Sequence, residues 1–161
     1  MQLIFRPMDE ASARAVAAWR YEPPYDFYNM DAADVEASIQ AFLDPRNGYY
    51  GIYSDVATVG YCCFGPDARV PGGEYGADAL DVGVHMRPDL TGQGRGLAFF
   101  SAILDFARRA WAPRAFRVTV AAFNRRALRV YEKAGFRATQ TFQRDKDGAP
   151  FVILIRQEAI G

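Results

Sequence analysis

The chain has 161 residues, half of them hydrophobic and 24% charged, and its formal net charge is zero. These values are typical of one globular domain, and we expect a single domain over residues 1–161. Balanced charge does not favour a nucleic-acid partner, and no segment is apolar over the length that a membrane span needs. The adjacent Cys62 and Cys63 predict two free thiols. Because no secretory signal is evident either, we expect a cytoplasmic protein.

The first half of the chain predicts a strand, two helices and a hairpin. Residues Gln2–Arg6 form the strand, and apolar spacing predicts a helix over Asp9–Arg20. Two prolines keep the aromatic segment Tyr21–Asn29 out of a helix. Asp31 or Asp34 is placed to cap the second helix. The hairpin strands are Tyr49–Ser54 and Thr58–Phe64, around a turn at Asp55-Val56-Ala57.

The second half of the chain alternates strands and helices after a loop rich in glycine and proline, Gly65–Asp78. The predicted elements are a strand Ala79–Met86, a helix from Gly96 to about Ala110, a strand Phe116–Ala121, a helix opened by Asn124 and closed by Gly135, and strands Arg137–Arg144 and Phe151–Gln157. This order predicts one mixed α/β sheet with helices packed on its faces.

A glycine-rich loop, Thr91-Gly-Gln-Gly-Arg-Gly96, follows the strand Ala79–Met86 and precedes the long helix. Such a loop presents backbone N–H groups to an anion, and the helix N-terminus adds its positive end. The alternative is a set of tight turns that need glycine. A P-loop would require Gly-Lys followed by Ser or Thr, whereas this chain has Arg95-Gly96-Leu97. The spacing of the glycines does not fit a dinucleotide fingerprint either.

The loop resembles the pyrophosphate loop of the GNAT acetyltransferase superfamily, usually Gln/Arg-x-x-Gly-x-Gly/Ala, with Thr91 as a departure. A second segment, Asn124-Arg-Arg-Ala127 followed by Tyr131-Glu-Lys-Ala-Gly-Phe136, is similar to that family's other signature. The resemblance extends over essentially the whole chain. It implies a GNAT-like α/β fold: a mixed, mostly antiparallel central sheet of about six to seven strands with helices on both faces.

By this resemblance we expect an acetyl-CoA-dependent N-acetyltransferase in which a primary amine attacks the thioester directly, without a metal. Tyr131 is then the general acid, although a core aromatic residue is the alternative for this position. Asn124 is expected to bond the CoA arm and also suits an N-cap. The residues expected to bind the cofactor are Val84, Met86, Gly92, Gln93, Gly94, Arg95, Gly96, Leu97 and Asn124.

The general base is left open among Asp81, His85, Glu74 and water, with Asp81 ranked first. We expect Tyr25, Tyr28 and Glu74 to contact the acceptor, because aromatic walls with a few carboxylates suit a cationic amine. Two alternatives stay open: a non-catalytic CoA-binding or regulatory module, and an acyltransferase that uses another acyl-CoA. The identity of the amine and the oligomeric state, including a homodimer, also stay open.

Overall fold

The computed structural model describes residues 2–159, which contain four α-helices and seven β-strands. The helices are α1 (Glu10–Ala17), α2 (Val35–Leu43), α3 (Gly96–Trp111) and α4 (Arg125–Lys133). The strands are β1 (Ile4–Pro7), β2 (Tyr49–Ser54), β3 (Ala57–Phe64), β4 (Leu80–Met86), β5 (Ala115–Ala121), β6 (Arg137–Gln143) and β7 (Pro150–Gln157).

The strands form one sheet in the order β1-β2-β3-β4-β5-β7-β6. Neighbours β1–β2, β2–β3, β5–β7 and β6–β7 are antiparallel, whereas β4 and β5 are parallel. A parallel pair needs a crossover connection, which α3 supplies. The predicted GNAT-like mixed, mostly antiparallel sheet is confirmed.

The chain divides into two compact units, and the first comprises residues 2–63 and 84–93 of the described range. In this unit α1 packs on α2. The ring centre of Phe42 lies 4.9 Å from that of Tyr49 and 5.4 Å from that of Tyr61. The buried residues at the centre of this core are Met8, Ala13, Val16, Ile39 and Phe42.

The second unit comprises residues 64–83 and 94–159 of the described range. Helix α3 buries Phe100, Ile103 and Leu104, each at most 1% exposed. Strands β5 and β7 also contribute side chains that are fully buried, among them Phe116 and Leu154. The single domain predicted over residues 1–161 stays a prediction.

The two N-terminal helices begin and end differently from the prediction. Asp9 caps α1 by accepting a hydrogen bond from the Ser12 N–H at 2.7 Å, but the helix ends before Arg20. The predicted side-chain cap of α2 by Asp31 or Asp34 is wrong. A 3-10 turn runs directly into α2, so Asp34 already has helical backbone angles and its carboxylate does not cap.

The β2–β3 hairpin turns over two residues rather than the predicted three. Asp55 takes a left-handed backbone with φ of 55°, which Asp tolerates better than most residues. Ala57, expected in the turn, therefore belongs to β3 and pairs with Ser54. In β3 both Cys62 and Cys63 are buried, and within the described residues neither forms a disulfide, as predicted.

Candidate active site

The glycine-rich loop is open to solvent where it leads into α3. Gly92 and Gly94 have left-handed backbones, with φ of 71° and 74°, and a Cβ atom built on Gly94 would meet nothing within 4 Å. Arg95 precedes α3 without a side-chain cap, so the first N–H groups of the helix lack the usual side-chain acceptor. Gly96 has a different role, because a Cβ there would lie 2.9 Å from Cγ2 of Val130 in α4.

Two side chains of the loop stabilise the residues just before it rather than the glycines themselves. The Thr91 hydroxyl donates to the Pro88 carbonyl at 2.6 Å, and the Gln93 amide donates to the Asp89 carbonyl at 2.7 Å. Gln93, Arg95 and Leu97 are exposed. These bonds stabilise residues 88–93, and the exposed N–H groups at the start of α3 suit an anion at a helix N-terminus.

Asn124 and Tyr131 mark the two ends of α4. The Asn124 side chain caps the helix by accepting from the Ala127 N–H at 3.1 Å. Tyr131 is 8% exposed, and its ring packs edge-on against Phe100 with the centroids 4.9 Å apart. Asn124 therefore has the N-capping role that its position allows, and Tyr131 packs as a core aromatic residue. Each of these roles is compatible with a chemical one.

Within the described residues, strand β4 pairs with β5 only at its start. The residues of β4 that we expect to contact the CoA arm lie beyond this paired part. In residues 2–159 the register of these two strands covers Leu80 with Phe116 and Asp81 with Arg117. Val84 and Met86 follow later in the strand. The Met86 carbonyl accepts a hydrogen bond from the Tyr21 hydroxyl at 2.6 Å. The backbone N–H of Met86, rather than its carbonyl, is thus the group to consider for a ligand.

Tyr21 also holds the two ends of the aromatic segment Tyr21–Asn29 together. Its N–H donates to the Asn29 side-chain oxygen at 2.7 Å, and the Asn29 amide donates back to the Tyr21 carbonyl at 3.3 Å. Burial raises the pKa of the Tyr21 phenol above its ordinary value. Tyr21 therefore anchors the segment that carries Tyr25 and Tyr28 to the end of β4.

His85 lies in an aromatic environment within the first unit. Its ring stacks on Tyr61 with the centroids 4.6 Å apart and the planes 11° apart, and Tyr28 approaches edge-on at 6.2 Å. Burial disfavours the imidazolium and lowers the pKa of His85 to about 4. The imidazole is therefore neutral at neutral pH. The structure brings together Tyr28 and His85, two of the predicted site residues.

Asp81 is held in a buried ion pair. It is 2% exposed, and its two oxygens accept from Arg117 Nε at 2.6 Å and Arg117 Nη2 at 2.8 Å. Arg69 Nε donates to the same carboxylate at 2.8 Å. The carboxylate is buried and already accepts from three arginine nitrogens, so this geometry argues against Asp81 as the first candidate for the base.

Glu74 lies on the long segment between β3 and β4, and its side chain is exposed. Its carboxylate accepts from the Gly76 N–H at 2.8 Å, and its own N–H donates to the Gln140 side chain at 2.9 Å. The backbone around Glu74 is thus tied to β6, and its carboxylate is turned partly towards its own loop.

Over residues 2–159 no group of three or more His, Cys, Asp or Glu side chains is arranged to hold a metal ion. Within the same range, every helix is too short or too polar to cross a membrane.

A family model described as the acetyltransferase (GNAT) family matches residues 12–136. The chain belongs to the GNAT acetyltransferase family. The matched range contains both the glycine-rich loop and Tyr131, so the resemblance seen in these two segments is confirmed at the level of the family. No curated relative matches the sequence.

Solved GNAT-type structures share the fold at low sequence identity. AAC(6')-Ib in complex with ribostamycin and coenzyme A has a TM-score of 0.75 at 17% identity, over 98% of this chain and 94% of that one. PseH of Campylobacter jejuni with acetyl coenzyme A has a TM-score of 0.64 at 14% identity, over 98% and 100%. YncA of Salmonella typhimurium with acetyl-CoA has a TM-score of 0.66 at 16% identity, over 99% and 95%.

Three residues that contact the candidate site residues were missed from the sequence. Arg117 interrupts the apolar strand β5, and this unusual position was the signal that could have revealed a buried partner for Asp81. Tyr21 and Tyr61 are ordinary members of aromatic stretches, and their contacts with Met86 and His85 depend on the tertiary fold.

Proposed function

We propose that this GNAT protein transfers the acetyl group of acetyl-CoA to a primary amine. The observation that carries the proposal is the open glycine-rich loop at the N-terminus of the 16-residue helix α3. Backbone N–H groups and the partial positive charge of a helix N-terminus together favour a pyrophosphate. The CoA and acetyl-CoA bound in AAC(6')-Ib and PseH support the same ligand for this chain.

The donor would be held by the loop and by the end of β4. The loop residues are Gly92, Gln93, Gly94, Arg95, Gly96 and Leu97, of which all but Gly96 are exposed. Backbone groups of Val84 and Met86, with the Asn124 amide, would hold the pantetheine arm. Acetyl-CoA supplies an acetyl group activated as a thioester. A backbone N–H of Val84 or Met86 facing its oxygen would stabilise the transition state by about 3 kcal/mol.

Tyr131 is proposed as the general acid. The amine nitrogen forms a bond to the acetyl carbon, the carbon–sulfur bond breaks, and the phenol gives its proton to the departing thiolate. The proton lost by the amine restores the phenol through solvent. Packing of the ring against Phe100 fixes the direction of the hydroxyl, which is what a proton donor needs.

His85 replaces Asp81 as our first candidate for the base. A neutral imidazole has a lone pair that can accept the amine proton directly or through water, whereas Asp81 is neutralised by two guanidinium groups. A weak base suffices at this step, because the attack of a neutral amine leaves a positive charge on its nitrogen, and the N–H of that adduct is far more acidic than the N–H of a free alkylammonium ion. Stacking on Tyr61 holds the ring in one orientation.

Tyr25, Tyr28 and Glu74 are proposed to contact the acceptor. Tyr28 supports this role by its position beside His85. A cytoplasmic location and a homodimer stay predictions. The alternatives are a non-catalytic CoA-binding module and an enzyme for another acyl-CoA.

The test is release of CoA thiol in the presence of acetyl-CoA and a panel of peptide N-termini, lysine derivatives, polyamines, amino acids and aminosugars. The proposal expects thiol release that depends on one class of amine. If the protein binds acetyl-CoA but releases no CoA thiol with any class of amine, the result would favour a non-catalytic CoA-binding module. Release that is much faster with a longer acyl-CoA would identify a different donor.

A further inference from the structure

A buried charge cluster in the second unit carries more positive than negative charge. The guanidinium groups of Arg69 and Arg117 both contact the single carboxylate of Asp81. The side chains of Arg117 and Asp81 are 1% and 2% exposed, whereas that of Arg69 is 40% exposed. Among these hydrogen-bonded groups one positive charge is therefore left over, and it lies on the arginine that reaches solvent. The Glu74 carboxylate also acts on Arg117, but without a hydrogen bond to it.

The two arginines use their hydrogen-bond donors differently. Arg117 donates from Nε and Nη2 to Asp81 and from Nη1 to the Ala77 carbonyl, so every nitrogen of its guanidinium is engaged. Arg69 donates only from Nε, to Asp81. Within the described residues its terminal nitrogens, which carry four N–H groups, have no acceptor.

The Arg69 fork is held in place by its surroundings. Its guanidinium lies 5.4 Å from the ring centre of Tyr75, and the Arg117 guanidinium lies 5.0 Å from the same ring. The Tyr75 hydroxyl accepts from the Val70 N–H at 2.9 Å and contacts the Thr119 hydroxyl at 2.9 Å. The Arg69 guanidinium is thus held at Nε by Asp81 and on one face by Tyr75, whereas its two terminal nitrogens have no acceptor within the described residues. A planar group held in this way is preorganised to donate two parallel hydrogen bonds to one ligand.

We propose that Arg69 binds a carboxylate of the acceptor, so that the amine acetylated by this protein belongs to an amino-acid-like molecule. The inference rests on the proposed function, because it takes the loop Gly65–Asp78, which carries Glu74, as part of the acceptor site. A carboxylate matches the two parallel N–H groups of a guanidinium in spacing and charge. Ligand binding would also neutralise the excess charge of the cluster.

The test compares matched acceptors that differ only in the carboxylate: amino acids and the amines formed from them by decarboxylation. Wild-type protein is expected to favour the amino acid in kcat/KM by about 10- to 100-fold, as for a lost hydrogen bond to a charged group. Arg69→Gln is expected to reduce this preference to near one, and Arg69→Lys to keep a small part of it because it keeps the charge without the fork.

The Arg69→Gln protein is expected to stay folded, because Arg117 still neutralises Asp81 and still lies over Tyr75. Arg114→Gln is the matched control, since it removes another exposed arginine of the same unit and should leave the preference intact. The affinity for acetyl-CoA should be unchanged in all three variants. A weakened acetyl-CoA affinity in Arg69→Gln alone would place the anion on the donor and overturn the proposal.

A binding experiment separates this inference from the proposed function. Calorimetry with an N-acetyl amino acid and with the matching N-acetyl amine requires no turnover. Tighter binding of the carboxylate compound by wild type, lost in Arg69→Gln, supports the inference even if no amine is acetylated. Equal binding of the two compounds, or equal kcat/KM values for the matched acceptors, overturns it and leaves acetyl transfer untouched.

Discussion

His85 is expected to remain neutral down to about pH 4, which makes the folded protein less stable in mild acid. In the unfolded chain the imidazole has its ordinary pKa of 6.5, whereas in the fold burial lowers it to about 4. Between these values the unfolded chain binds a proton that the folded protein does not. The contribution of the neutral ring to stability is therefore complete above pH 6.5 and is lost as the pH falls towards 4.

The size of the effect follows from the two pKa values. Each pKa unit corresponds to about 1.4 kcal/mol, so the full difference is worth about 3 kcal/mol. Most of this loss is expected by pH 5, where the free energy of unfolding should be about 2 kcal/mol lower than at pH 7 on account of this group. His85 as a residue is half-buried, and screening by solvent makes these figures upper values.

The assay is urea unfolding of wild type and His85→Phe at several pH values. Phenylalanine preserves the stack on Tyr61 but does not titrate, so the difference between the two proteins isolates the imidazole. The chain has one histidine, so a proton NMR titration of its ring also gives the pKa directly. A measured pKa between 6 and 7, or the same pH dependence in both proteins, would refute the argument.

Two further predictions concern the donor loop and the acid, each with a matched control. Gly94→Val should abolish binding of acetyl-CoA in calorimetry, whereas Gly148→Val, with the same φ of 74° and the same open surroundings, should bear the same backbone strain and still bind. Equal affinities would contradict the loop assignment. Tyr131→Phe should lower kcat by about 100- to 10,000-fold, whereas Tyr53→Phe, which removes another buried hydroxyl, should lower only stability. A fall in kcat below about threefold for Tyr131→Phe would mean that its hydroxyl is not the acid.

Local patterns in the sequence predicted the parts of the fold that depend on neighbouring residues. The glycine-rich loop, the N-cap at Asn124 and the left-handed Gly135 after α4 all follow from backbone preferences over a few residues. The side-chain cap of α2 was wrong because Asp34 continues a 3-10 turn, a choice that the local sequence does not reveal.

The candidate site depended more on tertiary contacts than on local patterns. Asp81 and His85 were both recognised as polar residues on one strand, but the sequence did not distinguish their environments. Arg117, which neutralises Asp81, lies 36 residues away along the chain. Tyr61, which stacks on His85, belongs to a different strand. The sequence therefore indicated which residues to consider, and only their partners separated a neutral imidazole from a buried ion pair.

The most direct test of acetyl transfer is a parallel count, in one reaction, of CoA thiol released and acetylated amine formed. The thiol is measured by a colorimetric reagent and the amine product by mass spectrometry. The proposed function predicts one acetylated amine for each thiol, with both products absent when the amine is omitted. Thiol release that continues without an amine, or that exceeds the acetylated product, would mean that the protein hydrolyses the thioester and would contradict acetyl transfer to an amine.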